Sequence, residues 1–364
     1  MAPQKYLVWF LGTVALAVAG IVGFNAWADQ YILNHPAGPS FQTVSGFERV
    51  LKPAWLDSIQ PAAVFVGTSD MRQGFDPVLI DKILDGRSFN YGFSSVTAYE
   101  TRRMVEDAAA QPNVKMIFAS ANSFAGGSQA QPITGGFDEL RLAVTPDGKP
   151  TPRRNLWLFT TRYLSGGATG MHATGLYMLA RLKPGQTAAE RPDIFGAYSH
   201  MTTESFARDM VRRANRSYRL TDWQRDQLRA ALAAVCNKPI DFFLFFPPEH
   251  FAVVNQYMLN DADGLLDFKH KALADVRAHN AHCTGKAYFY DLMTLNEISG
   301  EKPDKTGTYP DYIDLVHFTP QIGQVLVHGM VNGVLEGELT RDPDADRKIE
   351  ALRQDVARWR SEKR

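Results

Sequence analysis

With 364 residues, 45% apolar and 21% charged, the chain is long enough for one large domain or two ordinary ones and has a globular composition. Its 39 basic and 39 acidic residues cancel, so no basic excess points to nucleic acid as a partner. The two cysteines, Cys236 and Cys283, lie outside any CxxC or Cys/His cluster, which argues against a structural zinc site; no metal or other cofactor is expected.

Tyr6 to Ala28 carries no charge. At ~1.5 Å per residue it spans roughly 34 Å as a helix, enough for a hydrocarbon core of ~30 Å. Lys5 precedes it and Asp29 follows it, a charge bias that favours the N-terminus inside and the bulk of the chain outside. Ala26-Trp27-Ala28 also fits a small-x-small cleavage site, so a removed signal peptide is the competing reading. A retained transmembrane anchor over 1–28 is favoured: the apolar run exceeds a usual signal core, and the segment before it is poor in charge. Either way, residues 29–364 lie across the membrane in a periplasm-like compartment, so the expected location is the inner membrane, single-pass, with the bulk periplasmic.

Residues 34–45 read as a polar connector, and Gly46 to Ile59 as an amphipathic helix with Phe47, Val50, Leu51, Trp55 and Ile59 on one side. An apolar strand over 62–67 then ends in Gly67-Thr68-Ser69-Asp70. Asp76-Pro77 supplies an N-cap and a first-turn proline for a helix ending near Gly86. Ser88 to Tyr91 is a second strand, Thr97-Ala98-Tyr99-Glu100 a capping box opening a helix to about Ala110, and Val114 to Ala119 a third strand. This alternation predicts a parallel α/β sheet.

Residues 125–235 break the rhythm. Gly-rich loops, two helices over 155–182 interrupted at Gly166-Gly167, an irregular stretch over 184–196, and helices over 203–217 and 221–235 read as an insertion covering one end of the sheet. No GxxxxGK[ST] or GxGxxG accompanies the glycines, so they are connections, not phosphate cradles. Strands resume at Ile240–Phe246 and Lys286–Tyr290, with a helix over 263–278 between them and an amphipathic helix over 320–335 after them. Residues 29–340 thus form one domain, and 341–364 a charged tail expected as a solvated helix or a frayed end. Cys236 and Cys283 each follow a helix and precede a strand. If those strands are parallel neighbours, the two lie at one sheet edge and can pair in an oxidising compartment; two unpaired thiols remain the alternative.

Two stretches carry chemistry. Ser69 stands where a buried strand yields to a helix, a placement suited to a nucleophile, although turn or cap serines occupy the same place. Asp314-Leu315-Val316-His317 precedes the last helix, where an Asp three residues before a His can orient it as a base; Asp311 is the competing partner. Both fall at the C-terminal edge of the expected sheet, where sites form in open α/β folds. His250 ends a strand at that edge, as a substrate contact or as a surface residue of a rigid turn. His172, His200, His270, His279, His282 and His328 have no partner pattern. Trp157, Phe159, Tyr163, Tyr177 and Trp223 fit core and lid packing better than a sugar groove.

Gly67-Thr68-Ser69 with Asp314-x-x-His317 resembles the SGNH (GDSL-like) hydrolase superfamily. The layout is similar to its membrane-anchored members that modify envelope polysaccharides and teichoic acids: one N-terminal anchor, Gly74-Phe75-Asp76-Pro77 shortly after the serine, an Asn-x-Gly turn at Asn90, a helical insertion and a terminal Asp-x-x-His. The likeness covers about residues 60–122 and 240–335. It implies a three-layer α/β/α, flavodoxin-like fold with a central parallel sheet, and a Ser69–His317–Asp314 triad. It also implies an oxyanion site from the backbone at Ser95, where the family has glycine, and from the side chain of Asn122, with the Gly92 N–H as fallback. Asp70 stands where some relatives have Arg or Glu, with no role assigned. The implied activity is an O-acyltransferase or esterase on envelope glycans, with a glycan and an acyl donor as partners and a multi-pass membrane acyltransferase beside it. A catalytically inactive glycan-binding or assembly protein on the same fold is the alternative.

Overall fold

The structure is a computed structural model describing residues 3–35, 48–186, 199–213 and 218–362. Most of the expected connector 34–45, Phe47, most of the irregular stretch 184–196 and the end of the helix expected over 203–217 lie outside the described residues.

A five-stranded, wholly parallel sheet forms the centre. Its strands are β1 (Ala63–Val66), β2 (Ser88–Asn90), β3 (Met116–Ser120), β5 (Asp241–Phe246) and β6 (Lys286–Asp291), in the order β2-β1-β3-β5-β6. These are the five strands expected from sequence, displaced at their ends by a residue or two. They read as nearly continuous apolar runs because helices bury both faces. In-register partners put Phe65, Phe118, Phe243 and Tyr288 side by side across four strands. Their rings stack at 4.7–4.9 Å between centroids, a ladder that fixes the pairing.

Chain direction across the sheet reverses between β1 and β3, the point at which open α/β sheets leave a crevice beyond their strand ends. Around the sheet lie α2 (Glu48–Ile59), α3 (Ser69–Gly74), α4 (Pro77–Ile80), α5 (Ala98–Ala109), α9 (Asp222–Val235), α10 (Phe251–His282) and α11 (Pro320–Asn332). The expected capping box at Thr97/Glu100 is formed, and Thr221 with Gln224 forms a second one at α9. The helix expected over 263–278 starts earlier, at Phe251, and kinks at Asp261. The Asp76-Pro77 helix is short: α4 ends at Ile80 and continues in turns.

The insertion supplies α6 (Arg154–Phe159), a π-helical turn over Thr160–Leu164, α7 (Gly166–Ala180), β4 (Met201–Thr202) and α8 (Thr203–Arg213). The break expected at Gly166-Gly167 falls at the start of α7. At the other end, β7 (Thr308–Tyr309) pairs with β4, and β8 (Tyr312–Asp314) pairs antiparallel with β9 (His317–Phe318). Cys236 and Cys283 form a disulfide, Cα to Cα 4.7 Å. The β5–β6 pairing brings the two helix-to-strand turns side by side, so the alternative of free thiols is excluded.

Two features depart from expectation. The charged tail is not a frayed end: α12 (Ala345–Glu362) buries Ile349, Leu352, Val356 and Trp359 against the domain. A heptad-like apolar stripe under the charges drives this, and His270 on α10 bonds Asp346 and Glu350 from across the contact. The N-terminal helix α1 (Pro3–Asn34) outlasts the uncharged run; it is exposed over its apolar length and buries Asn25, Ala28, Asp29, Ile32 and Leu33. It is long and apolar enough to cross a membrane.

Candidate active site

Gly67 follows β1 with φ +152, and a Cβ there would meet Met71 Cγ at 2.6 Å and Ser120 Cβ at 3.0 Å. Only glycine lets the chain turn this tightly into α3. Ser69 is the first residue of α3, so its N–H has no partner inside the helix.

The second half of the site arrives from the β8–β9 hairpin. Tyr312 Oη donates to Pro248 O at 2.6 Å, and His250 N to Leu315 O at 2.9 Å, which ties the hairpin to the end of β5. Phe318 then packs edge-on to Phe75 and fills the space above Gly74, where a Cβ would meet its ring at 2.2 Å. This close approach carries the neighbouring His317 onto the start of α3.

Ser69 Oγ lies 2.7 Å from His317 Nε2, and His317 Nδ1 lies 2.7 Å from Asp314 Oδ2. The carboxylate accepts from Nδ1, which leaves Nε2 unprotonated and able to receive the serine proton. Asp314 Oδ1 accepts from the N–H groups of Val316 (2.9 Å) and His317 (3.1 Å), so the carboxylate is held on both oxygens. Asp311, the competing partner, sits elsewhere: its N–H goes to Glu301 and its C=O accepts from Thr319.

These groups open onto a cavity of about 1020 Å³ lined by Ser69, His317, Ser95, Asn122, Glu249 and Tyr218, with hydroxyls and amides on its far wall. Ser95 adopts φ +54, a left-handed conformation that costs a non-glycine residue on the order of 1 kcal/mol or more. Arg49 Nη2 braces this turn by donating to Ser94 O at 2.7 Å. Arg49 also reaches Glu100, which holds Thr134 N at 2.7 Å on the opposite rim.

Gly92, expected as a fallback donor, is corrected. Its N–H donates to Asn90 Oδ1 at 2.9 Å, its C=O accepts from Lys52, and it does not line the cavity. Asn90 is instead an internal clamp, its amide donating to Met71 O at 2.7 Å and Phe75 O at 2.6 Å.

Asn122 lies in the turn after β3, its Nδ2 donating to Glu249 Oε1 at 2.7 Å while its Oδ1 is buried without a hydrogen bond. Tyr218 Oη donates to the same carboxylate oxygen at 3.3 Å. Glu249 was missed from sequence: it directly follows Pro247-Pro248 at the end of β5, and nothing in the local pattern marks its carboxylate as part of a site. Its neighbour His250 is buried, neither substrate contact nor surface residue: Nδ1 caps α10 at Ala252 N, and Nε2 bonds Glu301 O.

Asp70 is buried beside the serine, accepting from Ser120 Oγ at 2.5 Å and Met71 N at 2.7 Å. Burial pushes its carboxyl above the usual carboxylate range, opposed by those two bonds. Of the insertion aromatics, Trp223 is half-buried against the core, and Trp157, Phe159 and Tyr177 are exposed; none of the three lines the cavity. The one group of candidate metal ligands among the described residues, Cys236, His279 and Cys283, is closed by the disulfide, which leaves no thiolate to coordinate.

Comparison with known proteins gives no match among family models, curated proteins or solved structures.

Proposed function

We propose that the chain is a serine-dependent acyl-ester enzyme of the SGNH (GDSL-like) type. The single observation that carries this reading is the continuous Ser69–His317–Asp314 relay, two contacts of 2.7 Å at the mouth of a cavity. Ser69 Oγ attacks the acyl carbonyl as His317 Nε2 takes its proton. The tetrahedral oxyanion is met by the N–H groups of Ser69 and Ser95 and by the amide of Asn122, each worth roughly 3–4 kcal/mol in the barrier. His317 then gives the proton to the departing alcohol, and an acyl-enzyme remains. Water resolves it in an esterase; a sugar hydroxyl resolves it in an O-acyltransferase.

The hydroxyl of Ser94 and the amide of Gln131 in the cavity lining support a glycan as the alcohol component. The long apolar α1 supports a single-pass anchor; a periplasmic domain acting on envelope glycans beside a multi-pass acyltransferase is part of the proposal. The chain's three-layer, flavodoxin-like arrangement belongs to the same proposal. One observation favours the second reading, an inactive glycan-binding or assembly protein: one amide hydrogen of Asn122 is already given to Glu249.

A fluorophosphonate probe on the full-length protein separates the two. Covalent labelling of the wild type that disappears in Ser69→Ala, together with a fall of at least about 10³-fold in p-nitrophenyl acetate hydrolysis, supports the enzyme. A wild type that neither labels nor hydrolyses the ester overturns it.

A further inference from the structure

The insertion carries exposed apolar side chains that the proposed chemistry does not use. Leu156, Trp157, Phe159, Leu164 and Tyr177 are 38–61% exposed. Across α7, Gly-Gly-Ala-Thr-Gly-Met-His-Ala-Thr-Gly-Leu-Tyr-Met-Leu-Ala, no Asp, Glu, Lys or Arg occurs, even though Gly170, Ala173, Thr174 and Tyr177 face outward. A helix facing water ordinarily carries charge on its outer side.

The position of these residues along α1 is set by polar contacts. Asn25 Nδ2 donates to Tyr163 O and Thr169 Oγ1, each at 2.9 Å. The buried His172 ring touches Asn25 Oδ1 and Asp29 Oδ1, each at 3.2 Å. Asp29 further pairs with Arg162 and accepts from Trp55 Nε1 at 2.6 Å. Residues 162–172 therefore sit level with Asn25–Asp29, a stretch of about 6 Å along the helix axis. A span of about 20 residues beginning at Tyr6 ends at this same level. The exposed Trp27 and Tyr31 are there too, amphipathic rings of the kind that gather at membrane–water boundaries. Arg181, exposed at the end of α7, lies over the Tyr177 ring and bonds its hydroxyl, adding a cation beside the aromatic group.

The same contacts bear on the signal-peptide alternative. Cleavage after Ala28 would cut α1 in mid-helix and strip Asn25 from the buried His172 and from Thr169, leaving polar groups without their partners. The end of the N-terminal helix, from Asn25 to Leu33, is packed into the domain.

We infer that the insertion over 154–180 is seated in the lipid headgroup layer around the point where α1 leaves the bilayer, with lipid covering its exposed apolar side chains. The inference rests on reading α1 as a membrane span. Lipid is favoured over a protein partner because the turn that follows α6 and the start of α7 pack directly on α1 at the level where its apolar run ends. Seating at two places, helix and insertion, would hold the domain at one tilt and so fix the direction in which the Ser69 cavity opens.

The test is photolabelling of the full-length protein in vesicles of phosphatidylethanolamine and phosphatidylglycerol containing a diazirine-bearing acyl chain, followed by peptide mapping. Adducts are expected on residues 6–24 and also on 155–165 and Tyr177, and adducts on the insertion should be lost in the Leu156→Glu, Phe159→Glu double variant. Adducts on 6–24 with none on the wild-type insertion overturn the inference and leave the span intact. No adducts on 6–24, or an intact mass lacking residues 1–28, overturns the span itself. A photocrosslinker placed at Trp157 in native membranes that captures one discrete protein instead of lipid also overturns the inference.

Discussion

Asp314→Asn isolates the role of the carboxylate with the least change in shape. Asp314 Oδ1 accepts from two backbone N–H groups, Val316 at 2.9 Å and His317 at 3.1 Å, while Oδ2 faces His317 Nδ1 at 2.7 Å. Asparagine has one acceptor end. Turning that end toward Nδ1 would aim its NH₂ at two N–H donors and forfeit both bonds, at about 1–3 kcal/mol each. The amide is therefore trapped with its Oδ1 on the backbone and its NH₂ toward the imidazole. Nδ1 must then accept, the proton moves to Nε2, and Nε2 can no longer take the Ser69 proton. A base held in the wrong tautomer costs on the order of 10⁴ in kcat, or about 5.5 kcal/mol. The assay is single-turnover release of p-nitrophenol from p-nitrophenyl acetate, alongside the rate of fluorophosphonate labelling and the urea midpoint. Both rates should fall by about that factor, with the midpoint nearly unchanged because both backbone bonds survive. An Asp314→Asn protein within about tenfold of wild type would refute the tautomer reasoning, provided Ser69→Ala is inactive.

Three further outcomes follow from named contacts. Glu249 orients Asn122 by accepting from its Nδ2, so Glu249→Leu should lower kcat about 10²-fold with KM little changed, whereas Glu249→Gln, which still offers an acceptor, should keep most of the rate; equal rates in wild type and the Leu variant would deny Glu249 this positioning role. The disulfide joins residues 47 apart, so replacing Cys236 and Cys283 by serine should cost about 4 kcal/mol in the urea unfolding free energy under oxidising conditions, and no change would contradict the loop-closure reasoning. Asp107 is buried against Tyr91 Oη and Ala143 N, and burial raises its carboxyl to about 6. The folded state thus holds that proton to higher pH than the unfolded chain does, and stability should decline as pH rises from about 4 to about 6, by at most about 3 kcal/mol. In Asp107→Asn that component of the decline should vanish; an unchanged pH slope would be contrary evidence.

Local pattern was enough for the elements whose cause is local. The five strands were legible because a parallel sheet covered on both faces demands unbroken apolar runs, and β5 and β6 announce themselves that way. Thr97 and Glu100 declared a helix start because both halves of a capping box lie within four residues. Ser69, Asp314 and His317 were candidates from residue type and placement. Glu249, by contrast, has no local signature: its carboxylate matters only because β5 ends beside β3, which brings it to Asn122. Gly92 looked like a free donor until Asn90 folded back onto it. The apolar stripe of α12 is written in the tail, but the long helix it covers lies more than sixty residues earlier in the chain.

What the sequence by itself determined, then, is the set of short-range facts: which runs are buried strands, where helices begin, that Gly67 precedes a serine at a strand end, and that Asp314 can reach His317 three residues on. Tertiary structure decided what depends on chains meeting at a distance. It brought Ser69 and His317, 248 residues apart, to 2.7 Å, paired the cysteines, and sank Asn25 and Asp29 of the N-terminal helix into contacts with His172. The physical reason is one of range. Backbone hydrogen bonding and side-chain periodicity act over a few residues and leave a signal in the order of the chain. The close approach of Phe318 over Gly74, which sets His317 against Ser69, exists only once the whole sheet is assembled.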